Sequence, residues 1–334
     1  MEEIQMSDET KLYENFACGV FIVRADNANF NADFSGMPRE LPDGRIYATD
    51  KALKYCIRKY VHDVLGEDSI FAWRRFEMSK KGGKLEPRTL DTNIEYLYEK
   101  KNSTEKAVKN IEQKEMVELA LSKLDVRLFG ATLAVGDKNI SLSGPCQITY
   151  GVNIFETGSA YTSPILSPYS SGEGKEKSTI GAESRATELH YVYDFNINPF
   201  NLTKDEQLKI LLGEKMKEYC LKSDDITKLK ETITRGVNYV TSTTKAGAVS
   251  ELLLFVEFNG EQDNIVPLVP LLKSKIKITT NGNKRKIHLS EAVNSLSVYG
   301  KANLEVYYDP EYTELEYPQE VKPKLKHILT HKDL

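Results

Sequence analysis

The chain opens with two contrasting hydrophobic patterns. "FACGVFIVRA", Phe16 to Ala25, is an almost unbroken run of apolar, small and β-branched residues, which predicts a buried strand. "ATDKALKYCIRKYVHDV" follows with Leu53, Ile57, Tyr60 and Val61 at helical spacing, and with Thr49 or Asp50 placed to cap the start. Lys51, Lys54, Arg58 and Lys59 occupy the other positions around that helix. Between strand and helix lies "DNANFNADFSGMPRELPDGR", polar and pliable. A strand, a long polar loop and a helix with a basic outer side suit an anion-binding edge.

Further along, residues 65–124 are charged and broken at Gly82, Gly83 and Pro87, and predict a helical insertion. "DVRLFGATLAV" and "ISLSGPCQITYGVNIF" read as strands separated by a turn at Gly136 to Asn139. Residues 156–184 are rich in Ser, Gly, Thr and Pro, which predicts a loop or protruding arm. "RATELHYVYDFNIN" then reads as a strand, Leu202 to Cys220 (capped by Thr203) and Asp224 to Arg235 as helices, and "ELLLFVEF" as a strong strand. In "KSKIKITTNGNKRKIHL", Lys273, Lys275 and Lys277 alternate with Ile276 and Ile278 before the Asn281-Gly282 pair, the signature of a hairpin with a basic face. That face is either a surface for DNA or a neighbouring subunit, or an edge guarded by lysines against aggregation. Residues 310–334 form a Pro-, Glu- and Lys-rich tail. The order strand, helix, strand, strand, helix, strand matches an α+β, ferredoxin-like plan with an antiparallel sheet, which is also that of the RNA-recognition fold. We read 1–334 as one such domain carrying the insertion, the arm and the tail.

Charge distribution alters the picture more than composition does. The net charge of −4 argues against a polyanionic partner, but Glu2, Glu3, Asp8, Glu9 and Glu14 against Lys11 account for all of it. Residues 39–59 carry a local excess of basic charge, and residues 273–288 hold six Lys or Arg and no acid. Such local fields decide where a polyanion docks. No stretch reaches the roughly 18 apolar residues of a membrane helix, and "MEEIQMSDET" lacks the features of a signal peptide, so a cytoplasmic protein is expected. Cys18, Cys56, Cys146 and Cys220 are widely spaced, and the five histidines show no metal-ligand spacing, so neither a disulfide framework, a metal nor another cofactor is expected. There is no GxSxG, and "SGEGKEKS" does not have P-loop spacing.

Several blocks taken together are specific: "GMPRELPDGRIYATDKALKYCIRKYV", "DVRLFGATLA", "LSGPCQITYGVN", "KSTIGAESRATELHYVYDFNINP" and "GVNYVTSTTKAGAVSELLLFVEFN". In order and spacing they resemble the CRISPR-associated backbone subunit of type I Cascade, most of all its I-B branch in the DevR family, over roughly residues 16–260. The resemblance implies a hand-like protein with an RNA-recognition-type palm, helical fingers (65–124) and a hairpin thumb (156–184). Copies stack as a helical filament on one crRNA, each thumb displacing a nucleotide at a regular interval. Partners would be crRNA, further copies of the chain, other Cascade subunits, target DNA through guide pairing, and indirectly a recruited helicase-nuclease in antiviral defence. The protein itself would not be an enzyme. Type III relatives, more distant, cut target RNA with an aspartate on the loop after the first strand, where Asp26 and Asp33 lie, so a metal-dependent nuclease is the alternative. An oligomeric scaffold indifferent to RNA is a third reading.

Gripping a guide of variable sequence calls for phosphate contacts without base readout. The resemblance places Gly36, Arg39, Arg45, Thr49, Lys51, Lys54 and Arg58 at the palm edge, Arg127 in the family block "DVRLFG", Gly144 and Gln147 beneath the RNA, Lys177, Thr179 and Arg185 at the thumb's return, and Thr243 with Lys245 as a third contact group. Each has a plainer reading beside this one. The helix lysines suit any solvated face, Gly36 any turn, Arg127 an ion pair with Asp125 or another acid, and Gln147 any outward strand position. "KSTIGAESR" is also less basic and aromatic than the thumb of relatives.

Overall fold

The computed structural model describes residues 11–79, 82–170, 177–258, 272–299 and 302–334, with the side chains of residues 67, 167–170 and 177–180 outside the description. The chain divides into two compact units. One comprises Arg58–Gln147 and Asn196–Thr232 with the segment ending at Phe16, and the other Ala17–Ile57, Ile148–Phe195 and Ile233–Leu334. The protein is a mixed α+β structure with one large sheet and several helices.

The sheet belongs to the second unit. Its strands run in the order Lys324–His327, Ala302–Tyr308, Ala248–Phe258, Phe16–Ala28, Lys177–Ile197, Gly151–Asn153 and Tyr47–Ala48. Phe16–Ala28 is central, and its apolar run is explained by burial on both faces. Cys18, Val20 and Ile22 pack with Leu252, Leu254, Val256 and the helix residues Ala292, Val293 and Leu296. Gly19 is required for close packing, since a Cβ there would lie 2.0 Å from the Leu254 carbonyl oxygen and 2.7 Å from the Phe195 ring. Helix Asp50–Tyr60 buries Leu53, Ile57 and Tyr60 as its spacing predicts, with Cys56 buried beside them. Gly236 in helix Ser223–Tyr239 comes close to it, where a Cβ would meet the Cys56 carbonyl at 3.0 Å.

Strand Ala160–Ser170 pairs antiparallel with the first half of Lys177–Ile197, with Ala160 opposite Ala186 and Ser163 opposite Glu183. The arm is thus a β-ribbon whose side chains from Tyr161 to Leu166 are exposed. The turn at Asn281-Gly282 forms as predicted, pairing Lys277–Asn281 with Lys284–His288. Lys284–His288 is the middle strand of this small sheet and pairs in parallel with Thr313–Glu316, while Lys277–Asn281 lies at its edge. Lys286 pairs with Glu316 at 2.8 Å, and Arg285 makes a bidentate pair with Glu188 at 2.8 and 2.7 Å. The tail is therefore built into the fold, with Lys324–His327 closing the large sheet.

The first unit has its own core, in which Leu97, Ile111, Val117, Leu121, Ile140 and Leu208 are among the buried residues. Among the described residues of 65–124, the α-helices Leu90–Asn102 and Gln113–Leu121 form, preceded by a short ribbon pairing Phe76–Met78 with Leu85–Pro87. Thr89 caps the first helix in a capping box with Thr92. "DVRLFG" departs from expectation: it forms helix Leu124–Phe129 and becomes a strand only at Gly130 (φ +77°). Five of that helix's six residues are buried, and a short apolar run has no periodicity to tell helix from strand. Residues 202–220 also break up, into Phe200–Thr203, Glu206–Leu212 and a 3-10 segment, Gly213–Tyr219. There the cap is Asp205, which accepts from the Leu208 N–H, rather than Thr203.

Candidate nucleic-acid interface

In the sheet unit, the end of strand Phe16–Ala28 is a junction built by three asparagines at alternate positions. Asn27 lies in left-handed backbone (φ +48°), a conformation that Asn tolerates better than most residues. Its carbonyl accepts from Arg185 Nη1 at 2.7 Å and its Oδ1 from the Tyr161 hydroxyl at 3.2 Å. Asn29 is buried, and its Nδ2 donates to the carbonyls of Gly36 (2.9 Å) and Ser184 (3.1 Å) while its main-chain N–H donates to Thr244 O at 2.7 Å. Asn31 Oδ1 accepts from the N–H (2.9 Å) and hydroxyl (3.0 Å) of Thr49, which also caps helix Asp50–Tyr60 through the Ala52 N–H.

Six of the residues singled out in the sequence meet at this junction. Arg185 spans it, with Nη2 donating to Thr243 O and to Glu183 Oε1, both at 2.9 Å. Lys245 Nζ donates to the Phe30 carbonyl and sits 4.6 Å from that ring's centroid, and burial lowers its pKa. Arg39 Nε donates to the Ala32 carbonyl at 3.1 Å. Thr49 and Gly36 enter through Asn31 and Asn29. The strand end, opening loop, arm base and loop before Ala248–Phe258 are thereby joined by polar contacts. Asn27, Asn29, Asn31 and Tyr161 were not singled out by sequence reasoning, although the N-x-N-x-N run from 27 to 31 was the available signal.

The loop tip is ordered by Asp33. Its Oδ1 accepts from Ser35 N–H (2.8 Å), Ser35 Oγ (2.8 Å) and Met37 N–H (3.0 Å), and these bonds, the Ser35 hydroxyl foremost, lower its pKa. Asp26 accepts instead from Asn27 Nδ2 at 2.9 Å and lies 3.4 Å from Arg24. Among the described residues no group of three or more His, Cys, Asp or Glu is placed to hold a metal ion.

The other cations differ in how far they are committed. Arg45 is exposed and pairs with Asp43 at 2.6 Å, which lowers the Asp43 pKa. Lys51 is 81% exposed, with Asp50 at 3.9 Å. Lys54 pairs with Asp50 at 3.1 Å. In the other unit, Arg58 holds the buried Asp125 at 2.9 Å, and Asp125 also accepts from the N–H groups of Phe71 and Ala72. Arg127 forms a fork on the buried Asp225, at 3.1 and 2.7 Å, rather than pairing with Asp125. Lys51, Lys54 and Arg58 therefore do not form a continuous row of uncommitted charge. Gln147 Nε2 donates to the Gly144 carbonyl at 2.7 Å, and Gly144 packs so tightly that a Cβ would lie 2.1 Å from the Phe129 carbonyl carbon. The side chains of Lys177 and Thr179 lie outside the described residues, although both belong to strand Lys177–Ile197.

The family model described as CRISPR-associated protein Cas7 matches residues 15–295. Two solved chains, each from a CRISPR RNA-guided surveillance complex and one in a pre-nicking state, are similar at 13% and 14% identity, covering 92% of this chain and 96% and 95% of theirs. Their TM-scores are 0.47 and 0.46. No curated protein matches the sequence. Among the described residues, no helix is long and apolar enough to cross a membrane.

Proposed function

The chain belongs to the CRISPR-associated Cas7 family, and from that premise we propose that it is a non-catalytic, crRNA-binding backbone subunit of a type I Cascade complex. In this reading copies polymerise along the guide and present its bases to target DNA, so that specificity resides in pairing while the protein grips backbone and shape. The observation that carries it is the family match over most of the chain. The junction at Asn27, Asn29 and Asn31 supplies a site, because the loop and arm placed at the RNA by family resemblance share polar contacts there.

The palm, fingers and thumb belong to this proposal. The central order Ala248–Phe258, Phe16–Ala28, Lys177–Ile197, Gly151–Asn153 is the 4-1-3-2 arrangement of a ferredoxin-like sheet, which supports the palm assignment. The ribbon of Ala160–Ser170 and the start of Lys177–Ile197 supports the thumb, and the helices within 65–124 support the fingers. Subtype I-B rests on the quoted sequence blocks, and a cytoplasmic location on the proposed role. Arg39, Arg45 and Lys51 are the cations best placed to reach phosphate without breaking a buried pair. For Asp33, Oδ1 has the structural task of holding the turn, which favours the scaffold over the nuclease.

The test is to express the protein with its CRISPR array and to size and sequence the nucleic acid that copurifies. A discrete crRNA with repeat-derived ends is expected. Protein free of nucleic acid, with the array transcribed and processed, would overturn the reading.

A further inference from the structure

Phe34 stands at the tip of the opening loop with its side chain fully exposed. Among the described residues, no other large apolar side chain between residues 11 and 54 is exposed. The loop does not present it loosely. Ala32 and Pro38 form an antiparallel bridge, Asp33 N–H donates to Met37 O at 2.8 Å, and Gly36 N–H closes the turn on Asp33 O at 3.2 Å. Phe34 and Ser35 are the central residues of that turn, and Gly36 takes the left-handed backbone (φ +85°) that completes it. The three bonds to Asp33 Oδ1 fix the tip from inside, Asn29 holds the Gly36 carbonyl, and Thr162 Oγ1 of the arm lies 3.3 Å from Met37 Sδ.

We propose that Phe34 is a stacking platform for a nucleobase of the bound guide RNA. The inference rests on the guide-binding reading above and adds a contact of a different chemical kind to it. Its surroundings favour a base over a protein partner. A stable protein interface buries roughly 800 Å² on each partner around several anchoring side chains, whereas Phe34 is a single exposed ring set among Asp33, Ser35 and Gly36. One flat π-face with polar neighbours is what base stacking uses, and it tolerates any guide sequence because every base has such a face. A preformed tip also spares the ordering entropy that a mobile aromatic would lose on binding.

The experiment compares single-stranded RNA of guide length binding to wild type, Phe34→Ala, Phe34→Leu and Phe34→Trp by fluorescence anisotropy across a salt series. Alanine and leucine are expected to weaken binding about 5- to 160-fold, the range of one lost stack, with the slope against salt unchanged. Tryptophan is expected to bind at least as tightly as wild type, with extra emission that RNA quenches. Wild-type affinity in the alanine variant, wild-type affinity in the leucine variant, or a changed salt slope would overturn the proposal. So would loss of self-association in the RNA-free alanine variant, which would assign Phe34 to a protein contact. No RNA binding by wild type would instead remove the guide-binding reading itself.

Discussion

Arg185 Nη1 donates to the main-chain carbonyl of Asn27 at 2.7 Å, across 158 residues of sequence. Its other nitrogen reaches Thr243 O, so one planar guanidinium ties the arm base to the opening strand and to the loop before Ala248–Phe258. Its contribution is therefore to position these segments.

Arg185→Ala is expected to lose about 2 kcal/mol of stability, the scale of hydrogen bonds from a charged donor, and to weaken RNA binding at least tenfold. Arg185→Lys should rescue neither, since one ammonium does not reproduce the fork. Thermal unfolding and RNA titration on the same preparations check both.

Arg127 and Asp225 form a largely buried pair, the Asp225 side chain being 3% exposed. Arg127→Met alone should cost about 3 kcal/mol by stranding that carboxylate, and the double variant with Asp225→Leu should recover most of it. Urea unfolding measures the cycle. RNA affinity per folded molecule should stay at the wild-type value, and a fall would show that Arg127 also serves the guide.

Burial pushes the Asp194 carboxyl up to about 6 from the ordinary 3.8, because Lys273 Nζ, 4.0 Å away, offsets little of the desolvation. The folded state thus favours the protonated acid. The stability this contributes is complete below about pH 4 and is lost as pH rises through about 6, falling by about 1.4 kcal/mol for each pH step of one in that window. Asp194→Asn should therefore raise stability by about 2 kcal/mol at pH 7.5 and change it little at pH 4. Unfolding at the two pH values decides it, and equal effects at both would refute the linkage.

Gly36 and Gly144 are both candidate RNA contacts but differ physically. Gly36 has left-handed backbone and no atom within 4 Å of an added Cβ, so Gly36→Ala should cost only about 1 kcal/mol of backbone strain. Gly144→Ala drives a Cβ into the backbone of Phe129 and Gly130, and should cost about 3 kcal/mol or more. Calorimetry ranks them. RNA affinity of the folded fraction should fall for Gly36→Ala alone.

Asp33→Ala should leave the complex unable to cut complementary RNA in Mg²⁺, as wild type is expected to be, while weakening RNA binding severalfold through the loosened turn. Cleavage by wild type that this variant abolishes would establish the nuclease alternative.

Hydrophobic pattern and turn chemistry were sufficient for the elements with long or distinctive signals. Helix Asp50–Tyr60 buries the face its spacing defines, Phe16–Ala28 and Ala248–Phe258 are long apolar, β-branched runs buried on both faces, and the hairpin follows from its Asn281-Gly282 turn. "DVRLFG" was illegible because helix Leu124–Phe129, six residues with five of them buried, is too short to display a period, so the neighbours chose a helix.

The sequence alone determined the basic and polar residue types, their order, and the blocks that identify the family. Only the tertiary structure decided what each charge does, because ion pairing depends on which distant segment comes within a few ångströms. Thus Arg58 and Arg127 are committed to buried acids, Lys286 of the hairpin meets Glu316 of the tail, and Lys51 stays in solvent. The asparagine junction lay beyond the sequence for the same reason, since an amide's donors and acceptors have no meaning until folding supplies the carbonyls they join.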